Sequence, residues 1–300
     1  MNIPFFGELC ALITACFWSM SPLFFSAAID RVGTVTVNIT RLTFALVFLV
    51  ASVIVMRYSV SMSLTQYAYL SISGFLGLVF GDSFMFKGFQ FVGARITMLI
   101  MALSPAIAAV LAFVVLGEHM PLLGIAGIAL TLSGIIWVVL ERKQGTERTP
   151  HKLPTIGLFY AFCGAIGQGS GLVFAKLALR EGGAINGLVA TLIRIAAAWI
   201  LLIPIAMAAR TMKNPITAYR SERRALWLTA GGALVGPFLG ITFSLMAVAH
   251  TEVGVAATIM AMVPIVMLPL LKIFYHEELT WKSIAGAFVA VAGVVLLFLK

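Results

Sequence analysis

The chain has 300 residues, is 61% hydrophobic and only 10% charged, and carries a formal net charge of +9. Soluble domains are about half apolar and about a quarter charged, so this composition excludes a soluble globular protein and predicts one that crosses a membrane many times. The basic residues lie mostly in short stretches between apolar runs, which assigns them to topology and lipid headgroups and excludes nucleic acid as a partner.

The apolar runs are long and continuous, not alternating, so they read as helices and not as barrel strands. Ten spans are predicted, at 7–28, 34–56, 67–89, 95–116, 120–140, 155–178, 186–208, 225–248, 253–274 and 280–299. The first run, Gly7 to Ala28, is too long for the core of a signal peptide, so no separate cleavable leader is expected. Two connections are polar enough to stand clear of the bilayer, 141–154 and 210–224. Cys10, Cys16 and Cys163 all fall inside apolar runs without a CxxC pattern, and they read as small core residues rather than a disulfide frame or a metal site.

Reading along the chain exposes a duplication. Ile100-Met101-Ala102-Leu103-Ser104-Pro105 recurs as Ile259-Met260-Ala261-Met262-Val263-Pro264. The same offset of 159 pairs Gly77 with Gly236, Gly81 with Gly240, Glu118 with Glu277, Gly127 with Gly286 and Gly134 with Gly293. The first spans of the halves align at an offset of 150, which pairs Gly7 with Gly157 and Phe24 with Phe174, and Arg41 pairs with Arg194 at 153. The halves are 7–140 and 155–299, joined by the polar linker 141–154. Because each half has an odd number of spans, the second enters the membrane upside down. The expected fold is therefore an all-α integral membrane protein, with ten transmembrane helices arranged as two inverted five-helix repeats around a central cavity.

The charges predict an orientation. Arg31, Arg142, Lys143, Arg148, Lys152, Arg210, Lys213, Arg220, Arg223, Arg224 and Lys282 fall on one side, against Arg57, Arg180 and Lys300 on the other. The basic side is predicted to be cytoplasmic, with both termini outside.

Charge inside a span is costly, about 2.5–3.5 kcal/mol at the centre on insertion scales, so each case is a candidate for function. Arg41 and Arg194 are paired by the repeat and can bind an anionic group, such as a substrate carboxylate, from two sides of a cavity. The competing reading is that they snorkel to the interface. Asp82, in span three, has Ile241 as its mate; it can take up a proton during transport or neutralise Arg95, Lys87 or Arg41. Gln168 in span six stands where span one has Trp18, a hydrogen-bonding group in place of a stacking one. These five residues, Trp18, Arg41, Asp82, Gln168 and Arg194, form the predicted substrate pathway. Asn38 and Lys176 are weaker candidates, and His250 and Glu252 read as water-facing.

Other features read as scaffold. Gly74, Gly77 and Gly81, like Gly232, Gly236 and Gly240, allow a neighbouring helix to approach closely, as a static or a sliding contact. Gly164, Gly167, Gly169 and Gly171 predict a local break in span six. Pro105 and Pro264 are expected to bend spans four and nine at the cavity. Glu118 and Glu277 are read as caps of the helices that follow them. No Walker motif, HExxH, GxSxG or TVGYG-like filter is present, so neither catalytic residues, a metal nor a cofactor is expected, and the protein is read as a non-enzyme.

Ala15-Cys16-Phe17-Trp18-Ser19, Arg41-Leu42, Ser104-Pro105, Leu116-Gly117-Glu118, Gly127 and Ser133-Gly134, repeated in part at Pro264, Glu277, Gly286 and Ala292-Gly293, resemble the drug/metabolite transporter superfamily in its EamA-type branch. The pattern departs in span six, where the second repeat lacks the Trp of span one. The resemblance implies a basket of ten helices working by alternating access, and export or exchange of a small metabolite, amino acid or drug across the cytoplasmic membrane. It also implies a small-molecule substrate and a coupling proton or counter-solute, and leaves monomer and homodimer both open. Many members resembling it keep both termini in the cytoplasm, against the charge count. The alternative function is a flippase, or accessory subunit, for an amphipathic lipid carrier.

Overall fold

Apolar runs of this length bury their own amides in helical hydrogen bonds, and helices account for the regular structure throughout the described residues. These residues, in the computed structural model, are 5–116, 122–141, 154–182, 185–210, 214–250, 256, 259–275 and 279–298. In the first half α1 is Phe6–Val32, α2 Thr34–Met56, α3 Leu64–Gly74, α4 Asp82–Met101, α5 Ser104–Leu116 and α6 Leu122–Glu141. In the second half α7 is Thr155–Arg180, α8 Gly187–Ala208, α9 Pro215–Ser221, α10 Arg223–Ala233, α11 Ile241–His250, α12 Val263–Tyr275 and α13 Trp281–Phe298. The exposed faces of α2 and α8 carry Val47, Ile54 and Ile200, as lipid-facing surfaces do.

Two predicted loops shrink to one residue. Gly33 (φ 86°, ψ 160°) separates α1 from α2, and Gly93 (φ 78°, ψ 166°) divides α4 into its span-three and span-four parts. This region of backbone space is open almost only to glycine, so one residue without a Cβ reverses the chain and no longer loop is needed.

Spans three and eight each contain a π-helical turn, at Phe75–Gly81 and Leu234–Gly240. The two turns are related by the 159-residue offset. Each closes with a bond five residues long, from Asp82 N–H to the Gly77 carbonyl and from Ile241 N–H to the Gly236 carbonyl. The residue inserted by such a turn rotates everything after it, which sets the direction of Asp82 and Ile241.

Three expectations need correction. Span six does not break: α7 is one helix, and Gly164, Gly167 and Gly171 serve contact with span three while Gly169 meets α5 at Ser104 and Ala108. Spans four and nine are not bent at their prolines but interrupted just before them, by turns at Ala102–Leu103 and Ala261–Met262. There Leu103 N–H bonds the Ile100 carbonyl at 3.0 Å and Met262 N–H bonds the Ile259 carbonyl at 3.1 Å. Pro105 and Pro264 then sit in the first turn of α5 and α12, where a missing N–H leaves no bond unmade. Finally, several helices overrun the predicted limits, since α1 continues to Val32 and α3 begins at Leu64. Glu118 and Glu277, read as caps, lie outside the described residues, as do Glu252 and nearly all of the 141–154 linker.

Equivalent spans of the two halves meet head to tail. In the α6–α13 pair, a Cβ on Gly293 would strike Thr131 N, one on Gly134 would strike Ala290, and one on Gly286 would strike Val138. The partner numbers fall as the first rise, so the two helices run antiparallel and the second repeat is inverted with respect to the first. Spans one and six each pack on the opposite half: α1 lies along α10 and α11, and α7 along α3 and α4. The loops sort onto two faces accordingly. Arg31 Nη1 pairs with Glu222 Oε2 at 3.1 Å on the basic face, while Gln66 Nε2 donates to the Glu181 carbonyl on the other.

Candidate functional site

Three charged side chains are buried among the described residues: Arg41 (3% exposed), Asp82 (3%) and Arg194 (8%). Each arginine stands seven residues on from the start of its helix, 34 to 41 in α2 and 187 to 194 in α8. At 1.5 Å per residue both lie about 10 Å along their helices, from opposite ends because the repeats are inverted.

Arg41 is held on every side. Its guanidinium donates from Nη2 to Asp82 Oδ2 and from Nε to Asn38 Oδ1 at 3.0 Å. Asn38 stands three residues earlier on the same helix face and passes its own Nδ2 to Ser83 Oγ at 3.1 Å. The Arg41 Cζ lies 4.9 Å from the centre of the Phe86 ring and 5.7 Å from that of Phe25, within cation–π range. A buried charge with its ion pair, side-chain acceptor and ring faces is fully compensated.

Gln168 connects this cluster to the other half. Its Nε2 donates both to Asp82 Oδ1 and to the Gly77 carbonyl at 3.1 Å. That carbonyl also accepts the long π-type bond from Asp82 N–H, so one oxygen serves the turn and the inter-repeat bridge. The approach is close because α7 meets the π turn through glycine. A Cβ on Gly167 would stand 2.5 Å from Gly81 Cα, and one on Gly171 would stand 3.0 Å from Gly77 Cα.

Arg194 lies against the same face of Gly77 as Gln168, whose Oε1 is 3.7 Å from where a Cβ on Gly77 would be. The Arg194 Nη2 is 3.5 Å from the same point, and Arg194 interacts electrostatically with Asp82. Its Nε has no hydrogen-bond partner among the described residues.

The structure therefore brings Arg41, Asp82, Gln168 and Arg194 together and places Trp18 apart. Trp18 Nε1 packs over Gly240 in the second π turn, one turn further along than the Gln168 side chain, which packs over Gly77 in the first. Of the alternatives open for Asp82, it pairs with Arg41. Lys87 is directed elsewhere, over the rings of Tyr160 (5.1 Å) and Phe84 (5.9 Å). His250 is exposed, its Nδ1 2.9 Å from the Met246 carbonyl. Sequence reasoning missed Ser83, Phe25 and Phe86. Phe86 was within reach, four residues after Asp82 on the same helix face. Phe25 comes from another span, and no local spacing points to it.

An inverted repeat of membrane-spanning helices, with polar groups buried where the halves meet at mid-depth, defines a membrane transport protein. The chain belongs to the EamA-like transporter family, which it matches over residues 5–140 and 155–299, and it is a membrane transporter of the drug/metabolite type. No curated protein matches it. A crystal structure of a protein is similar to it with a TM-score of 0.67, 16% identity and 97% of each chain covered; at that identity the likeness shows the fold alone.

Proposed function

We propose that the protein is a secondary active transporter of the cytoplasmic membrane, exporting or exchanging a small metabolite, amino acid or drug-like solute by alternating access. The observation that carries this reading is the Gln168–Asp82 bond, which joins the two repeats at the buried charges. Asp82 accepts from Arg41 in its own half and from Gln168 in the other, so protonation of its carboxyl weakens both contacts at once. Such a change frees the halves to exchange conformations, and inverted halves that exchange conformations turn an inward opening into an outward one. Arg41, Asp82, Gln168 and Arg194 are the residues of this gate and solute path, and Trp18 occupies the repeat-equivalent position in the opposite half.

The test is metabolite profiling of cells with and without the protein, followed by uptake into proteoliposomes under an imposed proton gradient. Asp82→Asn is expected to retain solute exchange and to lose gradient-driven accumulation. If no accumulated metabolite moves, with or without the gradient, transport of a soluble solute is wrong; movement of a labelled lipid carrier instead would favour a flippase.

The face bearing Arg31, Arg220, Arg223 and Arg224 is proposed to be cytoplasmic. A reporter active only in the cytoplasm is expected to be silent when fused after Lys300 and active when inserted between residues 145 and 146. The reverse pattern would overturn this orientation.

A further inference from the structure

The repeat supplies two buried arginines and the structure compensates only one. Every partner of Arg41 has lost its chemistry at the equivalent position in the second half: Asn38 corresponds to Thr191 (offset 153), Asp82 to Ile241 and Phe86 to Leu245 (offset 159), and Phe25 to Ala175 (offset 150). Thr191 is turned away, its Oγ1 donating to the Gly187 carbonyl of its own helix at 2.8 Å. Asp82 already accepts from Arg41 and Gln168 on its two oxygens. Among the described residues the buried charged groups are thus two guanidiniums and one carboxylate, a net charge of +1. Asp82 forms its ion pair with Arg41 and acts on Arg194 only as a Coulombic neighbour, and the Arg194 Nε makes no hydrogen bond among the described residues. A buried guanidinium that only shares its counter-charge and leaves a donor unpaired calls for a further anion.

We propose that Arg194 is the seat for the anionic group of the transported solute, a carboxylate or similar planar monoanion that its guanidinium fork can grip. The inference rests on the transporter reading above. It divides the roles of two residues that the sequence makes equivalent: Arg41 is the structural partner of Asp82, and Arg194 holds the cargo. Bound anion brings the buried charge to zero, so loading removes the electrostatic obstacle to moving the site through the membrane interior. A carboxylate can belong to a soluble acid or to a lipid, and the test separates the two.

The purified full chain in detergent is titrated with benzoate, L-lactate and oleate, each against a neutral mate: benzamide, lactamide and oleyl alcohol. The readout is ligand-dependent rise in unfolding temperature. At least one anion is expected to bind about tenfold or more tightly than its mate, corresponding to a charge-assisted hydrogen bond. The preference should persist in weakened form in Arg194→Lys and disappear in Arg194→Gln. Should Arg194→Gln fail to fold, Ile241→Asp carries the test: it gives the second half the carboxylate that the first half has, and is expected to abolish the anion preference with the arginine in place. A preference confined to oleate supports the seat and assigns it to a lipid carboxylate. The proposal is overturned if no anion outbinds its neutral mate, or if the preference survives both Arg194→Gln and Ile241→Asp. Transport of a neutral or cationic solute that is unaffected by Arg194→Gln also overturns it while leaving the transporter reading intact. Anion binding without transport of any metabolite overturns the transporter reading and leaves the seat.

Discussion

Asp82→Leu is expected to be more destabilising than Arg41→Leu, and adding Arg41→Leu to it should restore part of the loss. Removing the carboxylate leaves Arg41 and Arg194 both buried without a counter-charge, and breaking a buried ion pair from one side costs about 3–5 kcal/mol. Removing Arg41 is milder, because Asp82 retains the Gln168 hydrogen bond and the charge of Arg194. In the double variant Arg41 no longer stands unpaired between Phe25 and Phe86, so the two substitutions are non-additive. A coupling of about 1–3 kcal/mol is expected. Chemical unfolding of the four proteins in detergent measures it. Equal losses from the two single variants, or simple addition in the double, would show that the three charges do not act as one cluster.

Gly167→Ala is the second large effect. The new methyl group would meet Gly81 Cα at 2.5 Å, Gly81 N at 2.7 Å and the Leu76 carbonyl at 2.8 Å. All three are backbone atoms and none can rotate away, so α7 and the π turn must separate. Overpacking of this kind costs about 1–3 kcal/mol, and the same separation draws Gln168 off Asp82, so both stability and transport should fall. Gly231→Ala provides the control, since its methyl would meet the Phe24 ring at an ordinary 3.8 Å. It should leave stability unchanged or slightly higher, the helix propensity of alanine exceeding that of glycine. Were Gly167→Ala to unfold and transport like Gly231→Ala, the close glycine contact would not be what positions Gln168.

The sequence was most legible where one residue type determines the outcome. Span number followed from apolar run length, and the inverted repeat from an odd number of spans and paired glycines. The face shared by Arg31 and Glu222 followed from alternating loops. Breaks in the helices were misread because glycine and proline were taken as local signals. Gly167 and Gly171 of α7 are there for the backbone of span three and Gly169 for that of α5, and Pro105 and Pro264 begin helices. The π turns leave no pattern of their own, yet they determine which way Asp82 faces. For the same reason, the symmetry of Arg41 and Arg194 pointed to a shared role, and only the partners assembled around each separate them. Apart from Asn38, those partners come from α1 and α4, too far from Arg41 in the chain for spacing to connect.

The single-glycine joints bear on how such a molecule moves. With only Gly33 between α1 and α2, and only Gly93 between the two parts of α4, those helix pairs have no slack and behave as stiff levers. On the alternating-access reading, an opening at one surface comes from these whole hairpins tilting, with the angular change absorbed where the chain is already unwound, at Ala102–Leu103 and Ala261–Met262. Those two joints, at the doubled Ile-Met-Ala stretch, are then the fulcrums.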